Sequence, residues 1–275
     1  MDKDIVRLSD VKAERKYKWQ QSANALFNFM REIEYLKTAL KNMAIIPRYY
    51  SEYVEYLKII NLKKISYPMT CFCDIPINKL SGHMNYYGGY GIGLDKENWG
   101  LKKGLQPIKY VNEDSPLLKD FVDVFKKVYL QEVKVPSNCE FLMDYLITDL
   151  VYTKPIKGVM EKEKEETTRL FQDECEWRYV PKLPEDLDIP LILPQSVTNT
   201  TKGYNLNSYS DVLKIHKECW LTFNLENIKY IVVPNDIANK EMISFILRDM
   251  KNIEDDEKYL LISKIFVMEH LQEDI

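Results

Sequence analysis

Residues 67–100 read YPMTCFCDIPINKLSGHMNYYGGYGIGLDKENWG. Residues 69–73 form a strand, and Asp74-Ile75-Pro76 closes it, because proline cannot continue a paired ladder. Residues 78–87 follow as a helix or helical turn, with Leu80, His83 and Tyr87 along one side. From Gly88 to Leu94 the chain returns as a strand whose glycines at 89, 91 and 93 allow a backbone or a ligand to come close. Strand, turn and glycine-aromatic strand together read as one wall of a pocket. Asp74, just before the Ile-Pro step, reads as a cap for the following turn.

The flanking sequence extends the same α+β alternation. Upstream, ALFNFM (25–30) is a strand with Asn28 as its one strongly polar residue, and residues 32–41 form a helix with Ile33, Leu36 and Leu40 at helical spacing. The run YYSEYVEY (49–56) has the spacing of an exposed helix carrying a tyrosine stripe: Tyr49, Tyr50, Tyr53 and Tyr56. Downstream come a strand at 107–111, amphipathic helices at 117–133 and 139–152, and a charged run at 161–169 that reads as a solvated helix or loop. A strand at 177–180 precedes a loop-like, proline-bearing stretch at 181–201. Strands at 220–223 and 228–233, a helix at 239–249 and an apolar segment at 260–268 complete the chain. The expectation is a single α+β domain over residues 22–275 with a mixed or antiparallel sheet, a helical insertion near 115–168, and a polar lead-in over 1–21.

Composition bounds the function. With 45% hydrophobic and 12% aromatic residues the chain can bury a substantial core, which argues against disorder. The net charge of −4 gives no global attraction to phosphate backbones, so nucleic-acid binding needs a local basic patch. The runs at 15–18 and 63–64 are short and read as solvated faces. The opening MDKDIVRLSD has no signal-peptide pattern, no stretch reads as a membrane span, and five cysteines show no disulfide framework. A soluble cytoplasmic protein is the expectation.

Glu174 and Glu176 are the strongest catalytic signal. Two apart on a strand, they share one face while Cys175 points away. Like charges held together raise one pKa, which suits a general base or a group steering a hydroxyl. Arg178 pairs with a carboxylate or holds an anionic ligand. The alternative is an exposed strand face carrying an ion pair. Cys71-x-Cys73 is tighter than a zinc knuckle and no second Cys/His pair stands at a standard distance, so no metal is expected. His83 beside Tyr86 and Tyr87 reads as a hydrogen-bonded structural residue or as part of the site. The glycines lie inside a strand-like run, which disfavours a dinucleotide fingerprint.

The pieces ANALFNFM (23–30), IIPRYYSE (45–52), PMTCFCDIPINKLSGH (68–83), YYGGYGIGLDKENWG (86–100), GLQPIKYV (104–111) and ECEWRYVP (174–181) resemble the AbiGi family of bacterial abortive-infection, phage-resistance proteins. The resemblance covers about residues 22–181, with LENIKYIVVPND (225–236) alongside. The family label implies an antitoxin in a two-component locus, hence a partner toxin. The pattern is also similar to an ADP-ribosyltransferase scaffold, which implies NAD as substrate and a nucleic acid or protein as acceptor. On that likeness Glu176 is the catalytic glutamate with Glu174 beside it. Asn28 stands where such enzymes carry histidine or arginine, and Tyr86, Tyr87 or Tyr90 supplies the aromatic wall. His83 and Arg178 complete the implied cofactor-binding set. No Ser-Thr-Ser strand accompanies the glutamates. A non-enzymatic antitoxin, and a hydrolase using Asp74, His83 and the glutamates, stand as alternative readings.

Overall fold

A computed structural model describes residues 22–134, 136–139, 141–162, 165–195 and 206–273. The expected lead-in over 1–21 and the end of the 181–201 stretch lie outside the described residues. In chain order the main elements are strand β1 (Ala25–Met30), helix α1 (Ile33–Asn42), strands β2 (Arg48–Tyr53) and β3 (Lys64–Cys73), helix α2 (Ser81–Tyr87) and strand β4 (Tyr90–Asp95). Helices α3 (Pro116–Tyr129) and α4 (Phe141–Val151) lead to strands β5 (Lys157–Lys162), β6 (Glu165–Leu170) and β7 (Glu176–Tyr179). Helix α5 (Leu206–Ile215), strand β8 (Ile228–Val233), helices α6 (Asp236–Asp249) and α7 (Asp255–Ile262) and strand β9 (Ile265–Val267) follow.

The main sheet runs β9-β8-β4-β1-β3-β7, antiparallel except for the β8–β9 pair. This is a mixed α+β fold, as the alternation of periods predicts. Helix α1 forms because Leu36 and Leu40, one turn apart, are both fully buried against Leu26, Ile92 and Ile231 of the sheet. Each such leucine contributes about 1.5–3 kcal/mol. The helix stops at Met43, whose left-handed backbone (φ 48°) turns its N–H back onto the carbonyls of Ala39 and Leu40. Helix α3 starts where Ser115 Oγ accepts the Leu118 N–H at 3.2 Å with Pro116 behind it. Together with α4 it covers Tyr67 and Met69 of β3.

Three local expectations change. The tyrosine run is the strand β2 followed by a 3-10 turn at Glu55–Leu57: pairing of residues 48–53 with β3 overrides the helical spacing. Tyr49 and Tyr56 are buried and only Tyr50 is broadly exposed. The described residues of the charged run, 161–162 and 165–169, belong to the β5–β6 hairpin, whose cross-strand ladder wins over the helix propensity of Glu and Lys, so helix before it ends at Val151. Asp74 does not cap the following turn. Its carboxylate accepts the Ala23 N–H at 2.8 Å and pairs with Lys96 Nζ at 2.9 Å, tying the start of β1 to the end of β4.

Gly88 joins α2 to β4 with φ +135°, and a Cβ there would lie 2.1 Å from the Met30 carbonyl oxygen. That approach seats Tyr86 and Tyr87 beside the end of β1. Gly88→Ala is expected to cost about 1–3 kcal/mol. Gly82→Ala, in the same helix with nothing within 4 Å, should instead gain about 0.5–1 kcal/mol. Urea denaturation of the two variants checks both signs.

Candidate functional site

Alternate residues of a strand turn their N–H and C=O groups to opposite edges. Tyr49 donates its N–H to Ser210 Oγ at 3.0 Å, away from β3, so Arg48, Tyr50 and Glu52 turn toward Met69, Tyr67 and Ile65. Cys71 directs its carbonyl to that same edge, where Asn28 Nδ2 donates to it at 2.8 Å. Strand β1 meets this edge at the Phe27–Cys73 pair. The two strands β1 and β2 thus lie along one edge of β3 and diverge, with the Asn28 amide bridging the gap. A cleft of about 1020 Å³ opens there, completed by α2, by the hairpin and by residues 153–176.

Charged side chains converge beneath this cleft. Arg178, with no exposed surface, donates Nε to Glu176 Oε1 at 2.9 Å and Nη2 to Glu52 Oε1 at 2.8 Å, and it also meets the Tyr67 hydroxyl. Lys154 Nζ reaches Glu176 Oε2 at 2.9 Å, Glu174 Oε2 at 3.2 Å and Glu52 Oε1 at 3.5 Å. The Tyr87 hydroxyl donates to Glu174, and Arg169 Nε stands 3.7 Å from that carboxylate. Three carboxylates are therefore balanced by Lys154, Arg178 and Arg169. Burying a charge costs several kcal/mol unless it is paired and hydrogen-bonded, and here Glu52, Glu174, Glu176, Lys154 and Arg178 all are.

The electrostatics follow. Burial alone would raise the Glu176 carboxyl, but Arg178 and then Lys154 overcome it and hold the group down to about 2. Burial pushes the Cys71 thiol well above its ordinary value, and it stays protonated as a hydrogen-bond donor to Glu176. His83 is lowered to about 4, first by burial and then by Arg169, so it is neutral at pH 7. Its ring packs 4.4 Å from that of Tyr87 and 5.6 Å from that of Phe29, while the Arg169 guanidinium lies 3.8 Å over Tyr86.

Of the residues singled out from the sequence, Asn28, His83, Tyr86, Tyr87, Glu174 and Glu176 line this one cleft. Arg178 lies below, against the carboxylates, and Tyr90 packs into the core opposite Met30. The glutamates do not share a strand. Glu174 ends a 3-10 turn (Phe171–Glu174), Cys175 is left-handed (φ 43°) and exposed, and β7 begins at Glu176. That left-handed step, rather than strand alternation, brings both carboxylates to Lys154. Sequence reasoning missed Glu52, Tyr67, Lys154 and Arg169. The one available signal was Lys154 itself, a charge just after the apolar Leu150-Val151-Tyr152, in the short strand Thr153–Pro155.

The architecture defines a mixed α+β protein with an aromatic-walled cleft over a buried ionic cluster. Residues 43–234 match the sequence-family model "Putative abortive phage resistance protein AbiGi, antitoxin". An abortive phage resistance protein AbiGi of Lactococcus lactis subsp. cremoris is 33% identical over 254 residues, covering 84% of this chain and all of that protein. This chain belongs to the AbiGi family. No solved structure matches it. Among the described residues no helix is long and apolar enough to cross a membrane.

Proposed function

We propose that this protein acts in abortive phage resistance as an ADP-ribosyltransferase-like effector whose cleft takes NAD. One observation carries the reading: Asn28, the His83–Tyr86–Tyr87 wall and the Glu174–Glu176 pair come from three separate segments and line one cleft. Its volume of about 1020 Å³ lies at the upper end of small-molecule sites, about 300–1,000 Å³. The aromatic wall suits a planar ring, and the Asn28 carbonyl oxygen suits a ribose hydroxyl. An ionised Glu176 places negative charge where positive charge develops at the ribose carbon as the glycosidic bond breaks.

The purified protein should bind NAD by calorimetry and release nicotinamide. Glu176→Gln should slow that release by about 10²–10³-fold. Asn28→Ala, which leaves the ionic cluster intact, should weaken NAD binding. A wild-type protein that leaves NAD intact sinks the transferase reading.

A second reading, a non-enzymatic antitoxin that neutralises a partner toxin, is favoured by a specific feature. Both glutamates are already neutralised by Lys154 and Arg178, as befits a structural keystone. The family description points the same way. Rescue of cells from the neighbouring toxin by the Glu176→Gln variant, with NAD untouched, is the outcome this reading expects.

A further inference from the structure

Eight charged side chains line the cleft. Four of them, Glu52, Glu174, Glu176 and Lys154, belong to the balanced cluster at its floor. The other four, Arg31, Arg48, Lys64 and Lys214, are all cations, in a chain whose net charge is −4. Three of these line it from different elements. Arg31 follows the end of β1, Arg48 opens β2 where β1 and β2 diverge, and Lys214 comes from α5, which packs on β2. Lys64 lies at the opposite end of β2, beside Tyr53.

Tyr50 lines the same cleft. It keeps half of its surface open, yet its hydroxyl is crowded enough for burial to raise its pKa, as befits a residue lining a concavity. Arg48 and Arg31 pull against that rise, so both guanidinium groups are within coulombic reach of one point in the cleft. Arg48 is oriented by Asn207 Oδ1 at 3.3 Å, and Lys214 by Asp211 at 2.7 Å. A concave site lined by guanidinium and ammonium groups attracts multiply charged anions, and planar guanidinium groups suit phosphate in particular.

We propose that Arg31, Arg48 and Lys214 form a diphosphate-binding subsite, so that the cleft takes a nucleoside diphosphate or a larger molecule containing one. The inference deepens the NAD reading above and rests on the same cleft, but it requires neither turnover nor Glu176. The phosphates sit at the cationic end, and the sugar and ring extend toward Asn28 and the aromatic wall.

Calorimetry and thermal shift with ADP, and with inorganic pyrophosphate, test it. Both ligands should bind and stabilise the wild-type protein, with affinity falling as salt is raised. The double variant Arg31→Ala/Arg48→Ala should lose at least about tenfold in ADP affinity at an unchanged melting temperature of the free protein. Lys214→Glu, on an exposed helix, should weaken ADP in the same direction, while Lys64→Ala leaves ADP binding intact. The proposal is overturned by no binding of either ligand, by equal ADP binding in the double variant, or by preference for a single-stranded oligonucleotide over ADP. Normal ADP binding with NAD left unconsumed removes the transferase reading and leaves the phosphate site standing.

Discussion

Replacing Arg178 by methionine should cost about 3–5 kcal/mol of folding stability, the usual penalty for breaking a buried ion pair on one side. Domains of this kind hold only about 5–15 kcal/mol in total, so much of the Arg178→Met protein should be unfolded or insoluble at physiological temperature. The guanidinium has no exposed surface and satisfies Glu52, Glu176 and Tyr67 at once. Without it, Glu52 and Glu176 keep Lys154 as their near cation, and the Tyr67 hydroxyl loses a donor while still donating to Glu52. Methionine fills much of the stem volume, so the loss reports charge rather than a cavity. Adding Glu52→Gln to Arg178→Met should recover part of the deficit, because the uncompensated charge falls by one. Urea midpoints of the two variants and the wild type give both numbers. A single-variant loss below about 1 kcal/mol would mean that water, not protein, solvates this cluster.

That cluster also marks the boundary of what the sequence discloses. Strand β1, helix α1 and helix α3 are legible because their signals are local: a short aromatic run, leucines one turn apart, an amphipathic period. Helix α6 is legible only from residue 239, short of its cap at Asn235. Strand β4 is legible through its glycines, and these are needed where the rings of Phe27 and Phe29 press against Gly93 and Gly91. The site is only half legible. Glu174 and Glu176 stand out as a pair, but nothing in QDECEW signals a cysteine with positive φ between them, a conformation that non-glycine residues seldom adopt. Glu52 and Lys154 owe their importance to convergence of segments some hundred residues apart, which periodicity does not encode. The hairpin at Lys157–Leu170 is hidden for the opposite reason: its charged composition suggests solvent, while its ladder is set by cross-strand pairing.

On acidification the wild-type protein should lose stability in two steps, the upper traceable to His83 and the lower to Glu176 together with Asp95. The upper step belongs to His83. Its folded pKa of about 4 lies below the ordinary 6.5, so the unfolded chain takes up this proton first, and stability falls as pH drops from about 6.5 toward 4. The lower step belongs to Glu176. Its folded value of about 2 lies below the ordinary 4.5, so its contribution is complete above pH 4.5 and is lost as pH falls through that value toward 2. A depression of this size corresponds to about 3 kcal/mol. Asp95, also lowered to about 2 against its burial by the Asn98 N–H and Lys229, acts in the same lower window. Lys154 works on the other limb: raised well above 10.5, its contribution is complete below that pH and fades only in stronger alkali. Urea midpoints measured against pH separate these terms. His83→Gln should flatten the curve above pH 4 and leave the lower step, whereas Glu176→Gln should start from a lower plateau and show a shallower fall below pH 4.5. An unchanged lower slope in Glu176→Gln would place that proton linkage on Asp95 and remove Glu176 from the acid response.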